Sequence, residues 1–147
     1  MRISVDPEGN PWIVQDQGQV LYFKDDAFKP MPGRARDIAV GADGSVYAVG
    51  WNKYKRGFGL WKYFGEVWNR QSGYGHRIAV DNNGQPWVVT KIGRVFRKTL
   101  DGWKLIKGKL NDIAVGPEGS IIGVRENKGV YKYSEKGEKW YKIGKYG

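Results

Sequence analysis

Few side chains in this 147-residue chain are equipped for bond-breaking chemistry. A single histidine, His76, and no cysteine leave neither a nucleophile with a partner base nor a usual zinc or iron–sulfur ligand set. His76 occupies a polar slot that Arg36 and Asn111 fill in matching stretches, so its position is not special. Carboxylates such as Asp43 and Glu118 fall in turn motifs, where local hydrogen bonding accounts for them. The adjacent Asp25 and Asp26 hint at calcium, and a turn explains them equally well. With no phosphate-binding glycine loop either, the expectation is a protein that is not an enzyme and carries no metal or cofactor.

Binding chemistry is better supplied. The stretch GWNKYKRGFG at positions 50–59 gathers Trp51, Lys53, Tyr54, Lys55, Arg56 and Phe58 between glycines, and reads as an exposed loop. Aromatic faces stack on sugar rings or bases, and neighbouring cations hold sulfate, phosphate or carboxylate. The competing reading is that this loop packs over the end of the domain or against another subunit. A second set, Arg94, Arg97, Lys98, Lys104 and Lys107, is the candidate basic patch.

The formal net charge is +10. Dividing the chain at residues 2–36, 37–76, 77–111 and 112–147 gives net charges of 0, +2, +6 and +2, so the excess is concentrated in the third segment. Such asymmetry suits an anionic glycan, an acidic protein surface or, through charge alone, nucleic acid, although the known nucleic-acid motifs are absent. Solubility of a β-rich surface accounts for the same charge. No apolar run approaches the length of a transmembrane segment and no signal-peptide pattern opens the chain, which leads us to expect an intracellular or non-classically exported protein.

Those four segments are repeats. RISVDPEGNPWIV at 2–14 returns as DIAVGADGSVYAV at 37–49, RIAVDNNGQPWVV at 77–89 and DIAVGPEGSIIGV at 112–124. Each reads as four short strands separated by Gly-containing turns, with no helical period anywhere. The second strand is nearly all apolar, as in Pro86-Trp87-Val88-Val89, so both of its faces should be covered. Sheets covered on both faces stack radially, which predicts an all-β propeller of four-stranded antiparallel blades in a single repeat domain. Trp61, Trp68, Trp87, Trp103 and Trp140 are then expected first as packing between blades. An open β-solenoid is the remaining alternative.

The repeats alternate. Odd copies open with Arg2 or Arg77 and place Asp6 or Asp81 after the first strand; even copies open with Asp37 or Asp112 and use Gly41 or Gly116. If the first strands line the axis, Arg2, Asp37, Arg77 and Asp112 form a ring of alternating sign, which closes without a like-charge neighbour only for an even blade number. Four blades in one chain or eight from two chains are therefore expected. The bland alternative is that these residues cap strand ends in solvent.

The text DIAVGADGSVYAV, GLWKYFGEVWNR and RIAVDNNGQPWVV resembles the tectonin repeat, with its paired odd and even units, across essentially the whole chain. The resemblance implies a recognition propeller: a lectin for lipopolysaccharide or modified glycan, or a module that docks on phosphoinositides or other proteins. It also leaves room for a closed four-blade ring, self-association, a filament or a place in a larger assembly.

Overall fold

The computed structural model describes residues 1–145; positions 146 and 147, assigned above to the fourth repeat, lie outside the described residues. Every regular element is a strand. The first repeat holds β1 (Arg2–Val5), β2 (Pro11–Val14), β3 (Gln19–Lys24) and the start of β4 (Ala27–Val40). The second takes the end of β4 and adds β5 (Val46–Tyr54), β6 (Gly57–Phe64) and β7 (Val67–Gly75). The third comprises β8 (Arg77–Val80), β9 (Pro86–Val89), β10 (Arg94–Thr99) and β11 (Gly102–Lys109). The fourth comprises β12 (Asp112–Val115), β13 (Ile121–Arg125), β14 (Gly129–Ser134) and β15 (Lys139–Gly144).

Neighbouring strands pair antiparallel, but among the described residues the sheets number three and not four. One has seven strands, β1 to β7, and the others have four each. The cause is local. Between Arg34 and Asp37 the chain stays extended, so β4 pairs first with β3 and then, past a bulge at Ala35/Asp37, with β5. At the next two junctions the ladder breaks, at His76 and at Leu110–Asn111.

The turns explain the odd–even alternation. In the odd repeats a carboxylate organises the turn: Asp6 accepts the amides of Glu8 and Asn10, and Asp81 those of Asn83 and Gln85. Each also reaches the second or third strand, Asp6 through the Tyr22 hydroxyl and Asp81 through the Trp87 indole. Even repeats have glycine at that point, and in the second repeat Asp43 does the work from inside the turn by accepting the Ser45 amide. Gly84 closes its turn at a φ of 74°, where any side chain would be strained.

Three apolar cores lie between successive repeats. Trp12, Val14 and Val20 meet Ile38, Val46 and Ala48; Tyr47, Val49 and Leu60 meet Ile78, Val80 and Val88; Trp87, Val89 and Val95 meet Ile113, Ile121 and Tyr133. At each, a tryptophan of the later repeat covers a glycine of the earlier one: Trp68 over Gly33, Trp103 over Gly73 and Trp140 over Gly108. A Cβ at Gly73 would sit 2.6 Å from the Trp103 nitrogen, so glycine is required by the close approach. Where geometry allows, the indole N–H also donates to the preceding carbonyl, Trp68 to Pro32 at 2.8 Å and Trp103 to Ser72 at 3.1 Å.

The expectation that second strands are covered on both faces holds for the middle repeats only. All four residues of β9 are buried, as are the first five of β5, whereas β2 and β13 alternate between buried and half-buried.

Candidate functional site

The stretch at 50–59 does not form a loose loop. It lengthens a hairpin: Lys53 pairs with Phe58 and Tyr54 with Gly57, leaving Lys55 and Arg56 as its tip. A register shift between Val49 and Lys53 lifts Trp51 and Asn52 out of the ladder. Trp51 folds back and is sandwiched by two guanidinium groups, Arg34 at 4.0 Å and Arg36 at 4.4 Å from its ring. Arg36 is fixed in turn by donating from Nε to the Trp51 carbonyl at 3.1 Å and by lying 4.1 Å from the Phe58 ring. Phe58 is half-buried against the second core, while Lys53, Tyr54, Lys55 and Arg56 are exposed.

Beside Trp51 opens a cleft of about 390 Å³ between the first and second repeats. Trp51, Trp61, Trp68 and Tyr54 line it, with Arg34 and Asn52 at its polar side. Trp61 is thus a wall of the cleft and not, as the repeat pattern suggested, core packing. It can lie there because Gly50 has no side chain; a Cβ would stand 2.7 Å from the Trp61 nitrogen. Arg70 crosses near the Tyr54, Trp61 and Tyr74 rings at 5.1–5.9 Å, adding positive charge next to the same wall. Arg34 donates from Nε at 2.8 Å and also from Nη2 to the Gln17 carbonyl, and Arg70 donates to the Leu60 and Gly73 carbonyls, so both cations are held in place beside the aromatic wall.

Gly18 sets the position of Trp51. A Cβ there would fall 2.4 Å from the Trp51 ring, at a φ of +87° that side chains rarely adopt. Gly18→Ala should therefore expel Trp51 from between Arg34 and Arg36 and cost about 1–3 kcal/mol. A displaced Trp51 indole resonance in an NMR spectrum, together with a lowered melting temperature, is the expected outcome.

On the far side of Trp51 is a second cavity of about 320 Å³, bordered by Arg2, Asp16, Arg36, His76 and Arg77. Burial, and after it the charge of Arg77, hold the His76 imidazole below its ordinary pKa. Its Nδ1 is buried without a hydrogen-bond partner.

The axial strands enclose a cavity of about 330 Å³. Of the ring expected there, half is present. Arg2 donates from Nε to Asp37 at 2.9 Å and from Nη2 to Asp112 at 2.8 Å. Asp37 is 1% exposed and also accepts the Ile38 and Ile78 amides. Burial pushes its carboxyl above the ordinary aspartate range, against the pull of Arg2 and those amides. Arg77 instead donates to the His76 carbonyl and meets no carboxylate among the described residues.

The basic set of the third repeat is not one free surface. Arg97 pairs with Glu135 at 2.8 Å and lies 4.5 Å from the Trp87 ring, Lys104 reaches Glu138 at 3.4 Å, and Lys98 donates to Ser72 at 3.1 Å. These three reach across to neighbouring repeats, while Arg94, Lys104 and Lys107 are exposed. Among the described residues no three His, Cys, Asp or Glu side chains gather as a metal ion would need, and no helix is long and apolar enough to cross a membrane.

No family model matches the chain, and no curated protein matches it. Solved structures do. An auxiliary nutrient binding protein from Bacteroides ovatus superposes with a TM-score of 0.71 at 13% identity, over 95% of this chain and 40% of that one. The chain has the β-propeller fold. A gluconolactonase from Xanthomonas campestris superposes on this propeller with a TM-score of 0.68 at 11% identity, over 94% of this chain and 59% of its own. YCF48 bound to D1 peptide superposes with a TM-score of 0.59 at 16% identity, over 96% and 51%. The propeller described here therefore spans about half, or less than two thirds, of the structures it resembles.

Proposed function

We propose that this propeller is a non-enzymatic recognition module that binds an anionic or modified carbohydrate of the glycan or lipopolysaccharide type in the Trp51–Trp61 cleft. Its four repeat units are read as four blades of the tectonin kind. The observation that carries the proposal is the cleft itself. Three indoles and a phenol border one open site, with Arg34 beside them. The Trp61 indole nitrogen lies against Gly50, which leaves the ring itself as the wall of the cleft. Flat apolar walls suit the faces of sugar rings, and the guanidinium suits a carboxylate, sulfate or phosphate substituent. The hairpin-tip cations Lys55 and Arg56 add charge nearby.

Binding to acidic or sulfated glycans, measured on an array at low and moderate salt, tests this reading. Trp51→Ala and Trp61→Ala should each weaken binding about tenfold, the loss of one well-placed aromatic contact. An array without hits at either salt concentration overturns the proposal. The alternative, a structural subunit of an assembly, is favoured by a separate observation, the exposed apolar side chains Ile3 and Val5 of the first strand.

A further inference from the structure

We propose that the ligand of the Trp51–Trp61 cleft is a linear polyanionic polysaccharide, sulfated or rich in uronate, which leaves the cleft and runs over one end of the propeller; this rests on the carbohydrate reading of the cleft and adds the length and charge of the ligand to it. Antiparallel strands return each kind of turn to the same end in every repeat. The turns between first and second strands meet at one mouth of the axis, where Asp6, Gly41, Asn82 and Gly116 border a cavity of about 290 Å³. The tips between third and fourth strands stand at that end too: Lys24 shares a cavity with Asp6 and Asp43, and Glu135 pairs with Arg97, which lies 3.9 Å from Asp81. The turns between second and third strands and the connections between repeats lie at the opposite end, where Asp16, Arg36, Trp51 and His76 border one cavity and the Glu126 amide donates to Asn111 at 2.6 Å.

Charge is segregated between these ends. Turns 6–10, 41–45, 81–85 and 116–120 and tips 25–26, 65–66, 100–101 and 135–138 hold eleven of the fifteen carboxylates and one cation, Lys136. Turns 15–18, 50–59, 90–93 and 125–129 and connections 33–36, 73–76 and 108–111 hold nine lysines and arginines and two carboxylates, Asp16 and Glu126. The two remaining carboxylates, Asp37 and Asp112, are both taken by Arg2. Eight of the nine cations are exposed, and none lies within 4 Å of a carboxylate among the described residues. Toward the acidic end cations are paired instead, Lys29 with Asp25, Arg97 with Glu135 and Lys104 with Glu138. The field reaches His76, whose imidazole is held below its ordinary pKa by burial first and then by Arg77, with Lys91 and Arg36 acting in the same sense and Asp37 against them. Solubility accounts for a net positive charge and does not account for its collection at one end.

The cleft is continuous with this cationic end. Arg34, Trp51 and Tyr54 belong both to its turns and to the walls of the cleft. Beyond them Lys91 and Lys109 of the third repeat and Arg125 and Lys128 of the fourth are exposed. One charged sugar would fill the cleft and leave those cations unused, whereas a chain with anionic groups along its length meets both. A planar bilayer would press on the turn tips without filling a cleft that is recessed between two repeats and floored by the buried Val20, Ala35 and Ala48.

Calorimetric titration with a heparin tetrasaccharide and a heparin dodecasaccharide, at low and moderate salt, tests the proposal. The dodecasaccharide is expected to bind at least about tenfold more tightly and to lose affinity more steeply with salt, because more counterions are released. The triple variant Lys91→Ala/Arg125→Ala/Lys128→Ala, at exposed positions outside the cleft, should remove most of that gain and leave the tetrasaccharide affinity within about twofold, with an unchanged melting temperature. Equal affinity for the two lengths, or a triple variant that keeps the whole gain, overturns the extended chain and leaves the cleft reading standing. If neither oligosaccharide binds, both fall together. Single-stranded DNA of matched charge, or vesicles of phosphatidylglycerol, held as tightly as the dodecasaccharide would overturn the assignment to a polysaccharide.

Discussion

Arg2→Leu should destabilise the fold by about 3 kcal/mol at neutral pH and lower the melting temperature by roughly 10 °C. The reason lies in what the substitution leaves behind. Asp37 sits between the first three repeats at 1% exposure, and among the described residues two amides plus the Arg2 guanidinium are its partners. Without Arg2 a buried carboxylate keeps its desolvation cost and loses its countercharge. Its carboxyl is already pushed upward by burial, and losing Arg2 moves it further in the same direction. The sign of the pH dependence follows. The folded state then holds this proton more tightly than the unfolded chain, so the deficit is full above the folded pKa and shrinks as pH falls toward the ordinary aspartate value. Thermal melts of wild type and Arg2→Leu at about pH 8 and pH 5 should show the gap narrowing at the lower pH. The double variant Arg2→Leu/Asp37→Asn should recover part of the loss at pH 8, because no charge remains to be buried. Equal melting temperatures for wild type and Arg2→Leu at both values would show that the pair contributes nothing.

Much of the architecture was legible in the repeats because turns and strands are specified locally. The Ile-Ala-Val strand, the turn with its closing glycine and the paired aromatic and glycine of the fourth strand each recur in register, and each keeps one structural job. The departures arise where a property depends on which neighbour a face meets. Residues 34–36 have no turn former, so two repeats fuse into one seven-stranded sheet. β2 and β9 read alike as Pro-Trp followed by two β-branched residues, yet only β9 has a sheet on either side. Trp61 and Trp68 are equally apolar in sequence. One covers a glycine in the first core and the other is turned toward the cleft, because Gly50, eleven residues upstream of Trp61, leaves room for it. Arg34 and Arg36 gave no sign of holding Trp51, since alternation along a strand normally places such residues on one side of a sheet; only the bulge at Ala35/Asp37 and the out-of-ladder Trp51 bring both guanidinium groups to one ring. In the basic patch the difficulty is the opposite. Charge counts do not reveal that Glu135 and Glu138 stand opposite Arg97 and Lys104 across an interface.

The same contrast sets the other large expected effect. Trp87→Ala should cost about 4 kcal/mol, close to the upper range for truncating a buried aromatic. Trp87 is 0% exposed and packs edge-on against Tyr133 at 5.3 Å and Trp140 at 6.5 Å. Its removal opens a void between the third and fourth repeats, strips the indole donor from the buried Asp81 carboxylate at 3.1 Å, and takes away the face on which Arg97 lies. Asp81 is 6% exposed, so little water can replace the lost donor. Trp61→Ala should cost less than about 1 kcal/mol, because its ring borders an open cleft and leaves behind a surface that solvent can fill. Urea unfolding of the two variants, with glycan binding measured on the same samples, separates a tryptophan that holds the sheets together from one that faces a ligand. Trp87→Ala is expected to lose stability, and Trp61→Ala to lose binding with its unfolding midpoint nearly intact. Equal destabilisation by the two substitutions would place Trp61 in the core, and the cleft would then lose the wall on which its proposed ligand stacks.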